Sequence, residues 1–202
     1  MLDGAARKVL GPGLERLGGH LARAGVSADQ ITYAGFVIGL AAAAAIAFEH
    51  YWLGLFFILV SRLCDGLDGG VARHTTQTDR GGFLDIVLDF AFYGAIPLGF
   101  VIASPEANAV AGATLLFSFY VNGASFLAYA VIAERRGLSS DLRGPKSLYF
   151  TTGLAEATET TALFCLCCIF PEAFAPLAYV FAAMTLVTAA GRILLAIRTF
   201  GP

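Results

Sequence analysis

Long apolar stretches separated by short polar or charged runs dominate the chain: Ile31–Phe48, Trp52–Cys64, Phe83–Ala103, Val110–Ala133, Leu148–Phe170 and Phe174–Leu195. A helix of about 20 mostly apolar residues crosses a hydrocarbon core. Trp52–Cys64 is short as apolar sequence, so its helix is expected to run on into the charged residues after Cys64. The pattern predicts an all-α membrane protein, with six transmembrane helices in one bundle over residues 26–202. Residues 1–25 read differently. Leu2, Ala6, Val9, Leu10, Leu14, Leu17 and Leu21 recur at roughly helical spacing among Arg7, Lys8, Arg16 and Arg23. This spacing predicts an amphipathic juxtamembrane helix with its basic side near anionic headgroups. Gly11-Pro12-Gly13 is expected to break or bend it. No apolar core precedes a cleavage site, so the first apolar stretch is expected to serve as an anchor and not as a removable leader.

Composition sharpens this picture. Of 202 residues, 57% are hydrophobic and 14% charged, whereas soluble domains average about 45–50% and about 25%. Too little charge is present to cover a water-facing globule of this size. Disorder requires low hydrophobicity and is excluded. Gly without a fixed period excludes a collagen-like chain, and 4 Cys are too few for a disulfide scaffold. The net charge of −2 says little, but its arrangement says more. Basic residues gather before the first apolar stretch, between the second and third, between the fourth and fifth, and at the end of the sixth. The opposite connections, Glu49-His50-Tyr51, Ser104–Ala107 and Pro171–Pro176, hold no Lys or Arg. Both termini are therefore expected in the cytoplasm. No nucleic-acid partner is expected.

The cysteines do not suggest a metal centre. Cys165, Cys167 and Cys168 fall within the fifth stretch with no His nearby, where free Cys behaves as a small hydrophobe. His20, His50 and His74 are scattered along the chain. The acidic residues are more informative. Asp65 and Asp68 stand at i and i+3 on a helix that extends the second stretch, and Asp85 and Asp89 at i and i+4 on the next. Gly66, Gly69 and Ala72 keep the adjoining surface low. The connection is short, so the two helices are expected to be antiparallel neighbours, with four carboxylates converging at the cytoplasmic edge of the membrane.

Each carboxylate near a bilayer costs about 2.5–3.5 kcal/mol on insertion scales. Oxygen-loving divalent cations, Mg²⁺ with Mn²⁺ as an alternative, are the natural compensation. Arg73 adds a fork suited to phosphate oxygens, or else pairs with one of these acids. The combination reads as a metal-held pyrophosphate site. A bundle that binds or transports cations without chemistry is the competing reading.

The pattern Asp65-x2-Asp68-Gly69-x2-Ala72-Arg73-x7-Gly81-x3-Asp85-x3-Asp89 resembles the signature of the CDP-alcohol phosphotransferase family. These are six-helix membrane enzymes that transfer a substituted phosphate from a CDP-linked donor to an alcohol and release CMP. One residue is missing between Arg73 and Gly81 relative to the usual spacing, and Gly25–Thr32 resembles the family's entry into its first span. The resemblance implies a pair of Mg²⁺ ions on Asp65, Asp68, Asp85 and Asp89, with Asp89 also the general base. It implies that Gly69, Arg73, Thr78 and Gly81 meet the nucleotide and its phosphates. Donor and acceptor follow as CDP-diacylglycerol and a polar alcohol, in a bacterial inner membrane with a cytoplasmic active site. A homodimer would fit the family, and a CDP-alcohol with diacylglycerol is the reverse arrangement.

Glycerol 3-phosphate is the leading expected acceptor, with serine, inositol or its phosphate, phosphatidylglycerol and choline open. Arg135, Arg136, Arg143 and Lys146 form a basic cluster that would attract a phosphorylated acceptor, although positive-inside topology explains them equally. Arg62, three residues before Asp65, either binds an acceptor phosphate or pairs with an Asp. Glu156 and Glu159 interrupt the fifth stretch and are candidates to hold a polyol or amine-bearing acceptor; a helix-to-helix hydrogen bond is their plainer reading.

Overall fold

The structure, a computed structural model, describes residues 3–138 and 156–201. Among these the regular elements are helical: α1 Asp3–Arg23, α2 Ala28–Ala47, α3 Tyr51–His74, α4 Asp79–Ala103, α5 Pro105–Arg135, α6 Ala157–Ile169, a 3-10 turn Pro171–Ala173 and α7 Phe174–Phe200. The expected extension of the second apolar stretch is present, since α3 continues ten residues past Cys64 to His74. Four described helices are long and apolar enough to cross a membrane: α2, α4, α5 and α7 with its preceding turn. α3 has the length but carries Arg62, Asp65, Asp68 and Arg73. α6 has 13 residues, and the first part of the fifth apolar stretch lies outside the described residues.

Helix boundaries follow local chemistry. α2 opens on a capping box: the Ser27 hydroxyl accepts from Gln30 N, and the Gln30 side chain accepts from Ser27 N. α1 corrects the expectation at Gly11-Pro12-Gly13, because the helix runs through Pro12 without a break. The ring removes the bond to the Lys8 carbonyl. Lys8 is exposed, so water can take that acceptor at little cost.

Apolar burial does not drive helices together in lipid, so close shape matching must. Large exposed residues such as Trp52, Val37, Phe117 and Val180 face outward as a lipid-facing surface should. Inside, Ile58, Phe92, Ile96, Phe100, Leu115, Phe164 and Phe174 are fully buried. Phe100 stacks on Phe174 at 4.7 Å between ring centroids, and Tyr51 stacks on Phe100 at 6.0 Å. Cys167 and Cys168 belong to this core, as the apolar reading of the cysteines expects. At Gly99 of α4 the Ala43 carbonyl comes within 2.6 Å of where a Cβ would stand, so α2 and α4 meet backbone to backbone.

One expectation about the site's frame is corrected. α3 and α4 do not form the broad direct contact that their short connection suggested. α2 packs extensively against both, and α3 meets α4 chiefly through the Arg62 side chain. Mutual repulsion of the carboxylates they carry opposes close packing of α3 on α4, and the small residues Gly35 and Gly39 let α2 fit instead. A second, smaller cluster of Ile31, Leu67 and Val71, with Leu14 and Leu21 of α1, secures the juxtamembrane helix to α3.

Candidate active site

Asp65, Asp68, Asp85 and Asp89 line one cleft, together with Thr32, Gly35, Phe36, Ser61, Arg62 and Leu88. The convergence read from the sequence is therefore present, although α2 supplies part of the wall. Each carboxylate is held differently. Asp68 is buried at 7% exposure; its Oδ2 accepts from Thr32 Oγ1 at 2.6 Å and its Oδ1 from Gly69 N at 2.6 Å. Asp89 Oδ1 accepts from Arg62 Nη1 at 2.6 Å, while Asp65 Oδ1 stands 3.5 Å from the same nitrogen. Arg62 thus pairs with Asp89 and Asp65, which is the plainer of its two expected readings.

Aromatic rings on α4 hold Arg62 in place. Its guanidinium lies 3.8 Å from the Phe92 ring centroid and 5.5 Å from that of Tyr93. Phe92 packs edge-on against Phe164 of α6, which connects the site to the main core. Ser61 Oγ donates to the Gly35 carbonyl at 2.8 Å and fixes α2 beside Arg62.

The donor set fits a hard divalent cation by its chemistry. Four carboxylates share the cleft with one guanidinium, an excess of negative charge in a partly buried place. Oxygen-only ligands of this kind suit Mg²⁺ or Mn²⁺. In the side-chain positions present, no group of three His, Cys, Asp or Glu among the described residues is gathered to hold one ion.

The other predicted residues fall in several places. Arg73 pairs with Glu15 and not with a motif acid; its Nε and Nη2 both donate to Glu15 Oε2, at 2.8 and 2.7 Å. Glu15 Oε1 stands 3.0 Å from His74 Nε2. The Arg73 bonds hold the Glu15 carboxyl below the usual carboxylate range, so the bridge is intact at neutral pH. His74 and His20 also share a groove with Arg16 and Arg23, so two of the histidines scattered in sequence are brought together. Thr78 caps α4, its Oγ1 accepting from Gly81 N at 3.0 Å. The Gly81 site is close to Asp29, which pairs with Arg80 at 3.1 Å.

Arg135 ends α5, and Arg136 donates to the Phe200 carbonyl at 3.0 Å, closing the end of α7. Glu156 and Glu159 do not sit in the middle of a helix. Glu156 is the residue before α6 and Glu159 lies in its first turn, where the positive end of the helix dipole favours acids. Arg143 and Lys146 lie outside the described residues. None of Arg135, Arg136, Glu156 and Glu159 lines the carboxylate cleft.

Sequence reasoning missed Thr32, Glu15 and the aromatic bed under Arg62. The entry into α2 pointed at Thr32 without giving it a role. Glu15 carried no signal at all, because it is a lone Glu on a basic interfacial helix.

The model of the CDP-alcohol phosphatidyltransferase family matches residues 26–191. The chain is 44% identical over 193 residues to the inner membrane protein YnjF of Escherichia coli, across 96% of this chain and 94% of that one. It is 33% identical over 123 residues to an archaetidylinositol phosphate synthase of Pyrococcus horikoshii, across 60% of this chain and 65% of that one. The crystal structure of Mycobacterium tuberculosis phosphatidylinositol phosphate synthase with CDP-DAG bound shares the fold, with a TM-score of 0.66 at 21% identity over 91% of this chain and 93% of that one. With its apolar helices and its Escherichia coli relative, this is an integral membrane protein, and the chain belongs to the CDP-alcohol phosphatidyltransferase family.

Proposed function

We propose that this protein transfers a phosphatidyl group from CDP-diacylglycerol to a phosphorylated inositol, releasing CMP. The observation that carries the reaction class is the shared cleft of four carboxylates from α3 and α4. The relatives do not support the glycerol 3-phosphate expected from the basic loop, since two of them are an archaetidylinositol phosphate synthase and a phosphatidylinositol phosphate synthase. The CDP-DAG bound to the structural neighbour supports a CDP-lipid donor. In this reading α3 and α6 complete six crossings, with both termini and the cleft at the cytoplasmic side of a bacterial inner membrane.

Asp65, Asp68 and Asp85 would hold the divalent ions. Bound there, the ions would neutralise the pyrophosphate and ease departure of CMP. Asp89 is the group suited to take the acceptor's hydroxyl proton. Arg62 donates to its Oδ1 and aims the carboxylate within the cleft. The acceptor oxygen bonds to the phosphorus that carries diacylglycerol, the pyrophosphate P–O bond breaks, and CMP leaves with the electron pair. Gly69 lets the nucleotide lie against α3, and Arg73 stands one turn further along.

The test is CMP release by the purified protein with CDP-diacylglycerol and Mg²⁺, with inositol phosphate, glycerol 3-phosphate and serine offered separately. CMP and a matching phosphoinositide by mass spectrometry are expected with the first alone. EDTA should stop the reaction and Mg²⁺ or Mn²⁺ restore it. CMP released with glycerol 3-phosphate or serine instead would overturn the acceptor. No CMP from folded, metal-supplied protein with any acceptor would overturn the donor arrangement.

A further inference from the structure

α1 lies outside the segment that the family model matches, yet it reaches the signature helix α3 closely. A Cβ on Gly18 would stand 2.7 Å from the Gly70 carbonyl carbon, and one on Gly70 would stand 3.0 Å from the Leu14 carbonyl oxygen. Backbones at this distance fix the register of the two helices. That register puts Glu15, next to Leu14, over the end of α3. There its Oε2 takes the Nε and Nη2 edge of Arg73, and its Oε1 faces His74.

The consequence lies in the remaining edge of the guanidinium. Arg73 Nη1 is 3.4 Å from the position a Cβ on Gly69 would occupy. Gly69 is the low surface of α3 beside Asp68, whose Oδ1 accepts from Gly69 N. Held by Glu15, Arg73 presents Nη1 over the glycine next to a metal-site carboxylate. A long arginine side chain at a half-exposed site otherwise samples many rotamers, and ordering it has an entropic cost. The geometry points to Glu15 as a positioning residue for the CDP-bearing donor, acting through Arg73 by fixing its guanidinium with Nη1 turned to the nucleotide's path. This inference rests on the CDP-lipid reading of the donor above.

The side chains of Glu15 and Arg73 are 40% and 51% exposed, and pairs of that kind add little to stability. Glu15→Ala is therefore expected to fold. In the full-length protein with Mg²⁺, Glu15→Ala should raise the donor KM about tenfold, the value of about one charge-assisted hydrogen bond. The Kd for CDP should rise in parallel, while kcat and the acceptor KM stay within about twofold. Glu15→Gln keeps an oxygen for the guanidinium and should recover most of the loss. Glu15→Asp keeps the charge but withdraws it, and should give an intermediate KM even if Glu15→Ala proves unstable. An unchanged donor KM in Glu15→Asp and Glu15→Ala would overturn the assignment. So would a lower donor KM, the mark of an acid that competes with the donor for Arg73. Wild-type protein that binds no CDP would overturn the donor reading itself, which is a distinct result.

Discussion

Arg62 of α3 and Asp89 of α4 are joined by a 2.6 Å ion pair between two helices that both pack on α2. Arg62 is 15% exposed and Asp89 29%, so water screens the pair only in part. Removing one member of such a pair leaves the other charge uncompensated, at about 3–5 kcal/mol for fully buried cases. Arg62→Met should therefore lower the melting temperature in EDTA, with about 3 kcal/mol as an upper bound at this exposure. Added Mg²⁺ should raise the melting temperature of Arg62→Met by more than it raises the wild type's, because the ion then supplies the missing positive charge. Equal Mg²⁺ effects in differential scanning fluorimetry would contradict this account.

Asp89→Asn preserves shape and the oxygen that Arg62 binds, but cannot take a proton. It should fold, bind CDP as the wild type does, and lose about 10²–10⁴-fold in CMP release. Turnover near the wild-type rate would sink the assignment of Asp89 as base.

Gly39 of α2 tests the bed beneath Arg62. A Cβ there would stand 2.5 Å from Phe92 Cδ2 and 3.0 Å from Ser61 Oγ, so Gly39→Ala must push the ring that carries the guanidinium. We expect about 1–3 kcal/mol of destabilisation, the usual range for overpacking, together with a drop in kcat, since Asp89 is held through Arg62. A stability loss with kcat unchanged would separate the aromatic bed from catalysis.

Thr78 offers a contrast between its cap and a phosphate contact. Thr78→Ala should cost about 1 kcal/mol through loss of the α4 cap and leave the donor KM within about twofold, whereas Thr78→Ser should behave as wild type. A donor KM raised tenfold in Thr78→Ala, reversed by Ser, would return the hydroxyl to the phosphates.

Much of this was legible in the sequence because it rests on periodicity. The i, i+3 and i, i+4 spacing of Asp65, Asp68, Asp85 and Asp89 fixes faces of helices, and faces survive errors in helix ends. The place of α2 was not legible. No local pattern states that a helix whose Gly35 and Gly39 admit neighbours will pack on both α3 and α4. The Arg73–Glu15 pair was not legible for a related reason: the two residues are 58 apart, and a lone Glu on a basic helix announces nothing. The sequence also placed Glu156 and Glu159 inside a helix, whereas the helix begins at Ala157.

The placement of α2 also links the reaction to the bilayer. At 20 residues and about 1.5 Å per residue, α2 is about 30 Å long, which is close to the thickness of a typical hydrocarbon core. A helix so matched tilts when the bilayer thins. α2 touches Asp68 through Thr32, and its Gly35 carbonyl holds Ser61, which accepts from Arg62. A tilt of this one helix is therefore expected to reach the cleft, so that CMP release in reconstituted vesicles should vary with the acyl-chain length of the surrounding lipid.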